Sequence, residues 1–196
     1  MKPFSQACEN NKQPILNVLT QAFAKTNQVL EIGSGTGQHA VFFAAHLPHL
    51  FWQTSDLAER HAGIKAWLAE AQLPNLGEPL VIDVDDRSWP IEPVDGLFSA
   101  NTLHIMSWDQ VQRLFNGLSR VLLPRSKVAI YGPFNYFGTF TSESNRNFDA
   151  WLKQQDARQG VRDFESVNAL AEAIGLQLLE DNPMPANNRL LVWEKR

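Results

Sequence analysis

The stretch Val29 to Ala40, VLEIGSGTGQHA, constrains this chain more than any other. An apolar run reads as a strand and ends on Glu31. Glycines follow at alternate positions, Gly33, Gly35 and Gly37, with Ser34 between the first two, and QHAVFFAAHL then takes up helical spacing. A strand, a glycine turn and a helix form the unit with which parallel α/β sheets hold nucleotide-like ligands. Glycine lets the main chain approach the ligand, and the helix start offers free amides. Three such glycines carry a conformational-entropy cost that a bare turn does not require.

The rest of the chain alternates in the same manner. PILNVLTQAFAK (14–25) has helical spacing, with Pro14 in its first turn. QVLEI (28–32), LFWQTSD (50–56), EPLVID (78–83), VDGLFSA (94–100) and KVAIYG (127–132) read as strands. HAVFFAAHL (39–47), AERHAGIKAWLAEAQ (58–72) and WDQVQRLFNGLSRVL (108–122) read as the helices between them, the last one ended by Pro124. A loop rich in glycine, proline and aromatics, GPFNYFGTF (132–140), precedes two more helical stretches (143–156 and 166–174). Two final strands, 176–182 and 188–195, are joined through the short PMPAN and should pair antiparallel. Strands alternating with helices predict an α/β doubly wound, mostly parallel sheet covered on both faces, in a single domain over residues 1–196. In such sheets ligands bind at the carboxyl ends of the strands. Gly33, Asp56, Asp83 and Asn101 follow the first four strands and therefore share one rim.

The residues of the turn narrow the ligand. A P-loop needs a Lys-Ser or Lys-Thr after its glycines, and none follows here. The dinucleotide pattern G-x-G-x-x-G places a third glycine where this chain has Gln38. Glu31 just before the turn is a poor neighbour for a pyrophosphate and a better one for a cationic or zwitterionic ligand. S-adenosylmethionine is such a molecule: it has a sulfonium, an ammonium and a carboxylate, and no phosphate. Two other readings stay open, an oxidoreductase binding a nicotinamide dinucleotide and a module that binds S-adenosylmethionine without catalysis.

Composition excludes other classes. Lys and Arg total 17 against 21 Asp and Glu, a formal charge of −4, which argues against nucleic-acid binding through a broad basic face. Cys8 is the only cysteine, so the chain has no internal disulfide and no cysteine zinc site, and Cys8 itself reads as an incidental thiol. His39, His46, His49 and His61 read as helix-surface or loop residues, and no metal site is expected. The polar start MKPFSQACENNKQ lacks a signal-peptide core, and no segment reaches the ~18 apolar residues of a membrane span, so no membrane partner and a cytoplasmic location are expected.

VLEIGSGTGQHA resembles the first motif of class I S-adenosylmethionine-dependent methyltransferases. The resemblance implies a Rossmann-like sheet of order 3-2-1-4-5-7-6 with strand seven antiparallel. It also implies that Asp56 takes the ribose hydroxyls and that Asp83 sits near the adenine amino group with Val84 beside the ring. SQACENNKQPIL, ANTLHIMSW, YGPF, SNRNFDAWL, GVRDFE and PANN, in that order, further resemble an uncharacterised methyltransferase-like family, domain of unknown function 938. That pattern usually has arginine where this chain has Asn10, and often methionine where it has Thr102. The resemblance implies a fold and S-adenosylmethionine as cofactor, held by Glu31, Gly33, Ser34, Gly35, Gly37, Asp56, Asp83, Val84 and Asn101, with no established acceptor.

Asp56 and Asp83 taken singly could be helix caps or turn residues. His104, three residues beyond Asn101, could serve as a general base or could simply pack before the following helix. Tyr131 closes the fifth strand at the same rim and could orient an acceptor or pack. These two are the catalytic candidates. Asn145 and Asp149 are four apart and share a helix face. With Phe134 from the aromatic loop and Asn187 and Asn188 from the hairpin turn, they are the candidates for an acceptor pocket. The [DN]-P-P-[YF] motif of amino-methyltransferases is replaced by SANTL, so a small-molecule acceptor is expected rather than a nucleobase or glutamine.

Overall fold

The computed structural model describes residues 2–196. In chain order the elements are α1 (Gln6–Ala22), β1 (Gln28–Ile32), α2 (Gln38–His46), β2 (Phe51–Asp56), α3 (His61–Ala71), β3 (Leu76–Val81), β4 (Val94–Ala100) and α4 (Trp108–Val121). They continue with β5 (Leu122–Gly132), β6 (Phe134–Asn135), α5 (Glu143–Gln155), β7 (Arg162–Asp163), α6 (Phe164–Ala173), β8 (Leu176–Met184) and β9 (Asn188–Lys195).

Alternation along the central strands decides the layering. Val29 and Leu30, Leu97 and Phe98, Val128 and Ala129, and Val192 and Trp193 are all buried, with successive residues on opposite faces. On one face Val29, Phe98, Ala129 and Val192 meet Ile15 and Leu19 of α1 and Phe43 of α2. On the other, Leu30, Leu97, Val128 and Trp193 meet Leu114 and Leu118 of α4 and Val167 of α6. Both faces are covered, as a parallel sheet requires. The strand order is β3-β2-β1-β4-β5-β9-β8, and β9 is antiparallel to both its neighbours. This is the expected order, with β8 and β9 as the sixth and seventh strands. β6 and β7 form a separate two-residue parallel pair within the region expected as loop.

Among the boundaries that differ from expectation, three have a visible physical cause. α1 begins at Gln6, so Pro14 lies inside the helix rather than in its first turn. Its early turns are held by polar contacts that an apolar period cannot reveal. The Ser5 amide donates to Gln38 Oε1 at 2.6 Å, and Gln38 Nε2 donates to Glu9 Oε1 at 2.9 Å. β3 pairs with β2 over 76–81, so Asp83 sits just beyond the ladder instead of closing it. β5 starts at Leu122, directly after α4, because Leu122 pairs with Val94 before an irregular step at Arg125, where φ is +67°.

Candidate functional site

The turn after β1 is shaped by its neighbours. Gly33 has φ +76°, and a Cβ there would lie 2.5 Å from Thr102 Cγ2. Thr102 in turn is fixed by a 2.6 Å hydroxyl contact with Ser99. Gly35 has φ +58°, and its amide donates to Asp56 Oδ2 at 2.7 Å, while Asp56 Oδ1 accepts the Leu57 amide. The residue ending β2 thus closes onto the middle glycine of the turn. Gly37 plays another part: with φ +89° it starts α2, and a Cβ there would lie 3.1 Å from Ile64 Cα, so it permits the packing of α2 on α3.

Glu31 lies beneath the turn. Its Oε2 accepts from Ser34 Oγ at 2.8 Å and from Trp52 Nε1 at 3.1 Å. Burial pushes its carboxyl up to about 7, against the pull of those two donors. Gln38, at the position of the missing third glycine, is buried and ties α1 to the turn through the contacts named above.

A cavity of about 610 Å³ opens at the carboxyl ends of the strands. Gly33, Ser34, Gly35, Asp56, Asp83, Val84, Asn101 and His104 line it. Ile82, Val84 and Met106 contribute apolar side chains to the lining, and Arg60 and Gln110 further polar ones. Glu31 and Gly37 do not line it: the first supports the turn from below, the second packs behind it. His104 is buried against Phe148, ring centroids 5.2 Å apart, and desolvation together with Arg162 holds its pKa down at about 4. Its imidazole is therefore neutral.

A second cavity of about 260 Å³ adjoins the first and shares Ala7, Asn101 and Phe148 with it. Tyr131, Asn145 and Asn188 line this one. Burial raises the Tyr131 hydroxyl pKa, while the side chains of Asn11 and Asn188 pull it back.

The remaining acceptor candidates fall elsewhere. Phe134 is fully buried in the core against the α4 face of the sheet, because its backbone pairs with Arg162 and turns the ring inward. Asp149 shares the helix face of Asn145, but its carboxylate accepts the Val161 amide at 2.9 Å and Lys153 Nζ at 2.7 Å, and so clamps the chain after α5. Asn187 is exposed with φ +59°; its Nδ2 donates to Ser144 Oγ and its carbonyl accepts from Asn145. It braces Asn145 instead of facing the cavity.

Other residues of the site escaped the sequence reading. His39 is buried, not on a helix surface: its Nε2 meets Asn11 Oδ1 at 2.6 Å, its ring stacks on Phe43, and desolvation holds its pKa at about 4. The spacing of four residues from His39 to the core residue Phe43 was the available signal. Cys8 lines the larger cavity from α1, and burial raises its thiol pKa. Phe148 of α5 lines both cavities. Among the described residues no group of three or more His, Cys, Asp or Glu is placed to hold a metal ion, and no helix is long and apolar enough to cross a membrane.

This sheet order, with its antiparallel seventh strand and its glycine turn at the cavity floor, defines the Rossmann-like fold of class I methyltransferases. The chain belongs to the family described as Protein of unknown function (DUF938), whose profile matches residues 2–195. Its fold is similar to that of an O-methyltransferase family protein from Burkholderia thailandensis, with TM-score 0.83, 15% identity, and 94% of this chain and 56% of that chain covered. It is also similar to an O-methyltransferase family 2 protein from Planctomyces limnophilus in complex with apigenin, with TM-score 0.82, 16% identity, and 97% and 58% covered. A third match is the apo form of the S-adenosylmethionine-dependent methyltransferase SibL, with TM-score 0.81, 17% identity, and 96% and 55% covered. The chain thus spans little more than half the length of these structures.

Proposed function

We propose that this protein is an S-adenosylmethionine-dependent methyltransferase acting on a small-molecule acceptor. One observation carries the reading: the Gly33–Gly35 turn and the Asp56 and Asp83 carboxylates converge on one cavity while Glu31 and Asp56 place two acidic side chains against the turn itself. A pyrophosphate at the turn would meet the Asp56 carboxylate as like charge, whereas a ligand with cationic groups and ribose hydroxyls meets an acceptor there. The engaged side chain of Gln38 also fills the place where a dinucleotide fold needs a third glycine.

When bound, S-adenosylmethionine supplies a methyl group on a positively charged sulfur. In this chain Asp56 would hold the ribose hydroxyls, and Asp83 the adenine amino group, with Ile82, Val84 and Met106 against the ring. Gly33 and Gly35 would let the main chain approach the ligand closely, and Asn101 lines both cavities. His104 is the proton acceptor of the proposal: a neutral ring can accept a hydrogen bond from an acceptor group, and it stands beside Phe148. Tyr131 would orient the acceptor from the far cavity. Orientation and exclusion of water are the main contributions such a site can make to a displacement on an already reactive donor. The likeness to proteins described as O-methyltransferases supports oxygen as the receiving atom.

Calorimetric titration tests the reading. S-adenosylhomocysteine should bind and raise Tm, and NAD should do neither. Binding of NAD without binding of S-adenosylhomocysteine would overturn it.

A further inference from the structure

The smaller cavity has an unusual lining. Its polar side chains are Asn10, Asn11, Asn101, Tyr131, Asn145 and Asn188, its one aromatic hydrocarbon wall is Phe148, and none of its lining residues bears a charge. Contacts outside the cavity determine what several of these groups offer. Asn145 donates both amide hydrogens, to Thr141 Oγ1 at 2.9 Å and to the Asn187 carbonyl at 3.0 Å, which sets the orientation of the amide and leaves Oδ1 as an acceptor. Asn10 Oδ1 accepts from Gln6 Nε2 at 2.9 Å, which leaves its Nδ2 as a donor. Asn11 Oδ1 is taken by His39, and its amide nitrogen serves the Tyr131 hydroxyl. The cavity therefore presents hydrogen-bond donors and acceptors without a compensating charge.

A charged ligand that settles between the buried Asn11, Tyr131 and Asn145 gives up part of its water and gains no counter-ion. A hydroxyl or an amide loses water and finds partners, at far smaller cost. A hydroxyl both donates and accepts, and so matches both kinds of group on this wall. At about 260 Å³ the cavity falls just below the ordinary range of small-molecule sites, which starts near ~300 Å³.

We infer that the smaller cavity is the acceptor site and that it takes a small, uncharged, hydroxyl-bearing molecule, read by Asn145 Oδ1 as acceptor and by the Asn10 amide and the Tyr131 hydroxyl as donors. The word acceptor rests on the methyltransferase reading; the chemical class of the ligand rests on the cavity alone.

Ligand-observed NMR with three phenols of similar size tests this: para-hydroxybenzamide, para-hydroxybenzoate and tyramine, in the presence of S-adenosylhomocysteine. The neutral amide should bind at least about tenfold more tightly than either charged phenol. Asn10→Lys, on the exposed face of α1, should raise the affinity of para-hydroxybenzoate relative to the amide by about tenfold. Melting curves confirm that the variant is folded. Equal or better binding of a charged phenol to the unaltered protein, binding of none of the three, or an unchanged ranking in folded Asn10→Lys overturns the inference. The two readings separate cleanly. Absence of S-adenosylhomocysteine binding with the neutral preference intact supports the ligand class and overturns the methyltransferase reading. Binding of S-adenosylhomocysteine without that preference overturns only the inference.

Discussion

Asp56 Oδ2 accepts the Gly35 amide at 2.7 Å, so the end of β2 and the turn after β1 form one unit at the cavity floor. Removing the carboxylate takes away both a ligand contact and a brace for the turn. Asp56→Ala should weaken S-adenosylhomocysteine binding by ~1.5–3 kcal/mol, the range for hydrogen bonds to a charged group. Asp56→Asn keeps an oxygen for the Gly35 amide and should lose less. Calorimetry gives the affinities, and a near-normal Tm in both variants would show that the loss is local. Unchanged affinity in Asp56→Ala would make this residue a turn brace alone.

Gly33→Ala should lower stability by about 1–3 kcal/mol, because it puts a side chain at positive φ. The new methyl would also strike Thr102 Cγ2. Thr102→Ser removes that methyl and keeps the hydroxyl that meets Ser99, so the double variant should recover part of the loss. Denaturant melts of the two single variants and the double variant measure the coupling. Strict additivity would mean that φ strain, not the contact with Thr102, dominates.

Glu31 gives a pH signature. Its carboxyl, ordinarily near 4.5, is raised to about 7 by burial, so between those values the folded protein holds a proton that the unfolded chain has lost. Stability from this group is therefore full below 4.5 and declines as pH rises through 7, by roughly 3 kcal/mol in all. His39 and His104 act in the opposite sense. Both are held near 4 from an ordinary 6.5, so they cost stability as pH falls through that window. The unaltered protein should then show a shallow profile in the region of overlap. Glu31→Gln retains an oxygen for Ser34 and Trp52 and removes the titration, so its stability should rise with pH from 4 to 6.5 and not fall above it. Parallel Tm–pH curves for the two proteins would contradict the assignment.

His104→Ala should leave S-adenosylhomocysteine affinity nearly intact and lower turnover by about 10²-fold. That is the low end for loss of a proton acceptor, since a ring held near 4 is a weak base. Tyr131→Phe should raise KM for the acceptor more than it lowers kcat, because the hydroxyl lies in the neighbouring cavity. Steady-state kinetics that follow release of S-adenosylhomocysteine separate the two effects. A parallel loss of cofactor affinity in His104→Ala would place the ring in the packing of the larger cavity instead.

The sequence by itself determined the sheet and the side of it on which the site lies. Strands that alternate with helices require two covered faces, and consecutive apolar residues such as Val29–Leu30 and Leu97–Phe98 fill both, while the short link between β8 and β9 requires the antiparallel strand. Strand ends followed by Gly33, Asp56, Asp83 and Asn101 put these residues on one rim, since a parallel sheet has all its carboxyl ends on one edge. Only the tertiary structure decided which polar side chains face a cavity and which brace the backbone. Asn145 and Asp149 have the same periodicity on α5, yet the Val161 amide and Lys153 claim the carboxylate of Asp149 while Asn145 retains an oxygen for the cavity. Glu31 and Gly37 belong to the motif but serve its support, and His39 and Asn11, distant in sequence, meet at 2.6 Å in the interior. Apolar burial leaves a periodic trace in a sequence because every turn or pleat repeats it. A polar contact joins one donor to one acceptor across the fold, so its partner becomes known only when the chain has closed around it.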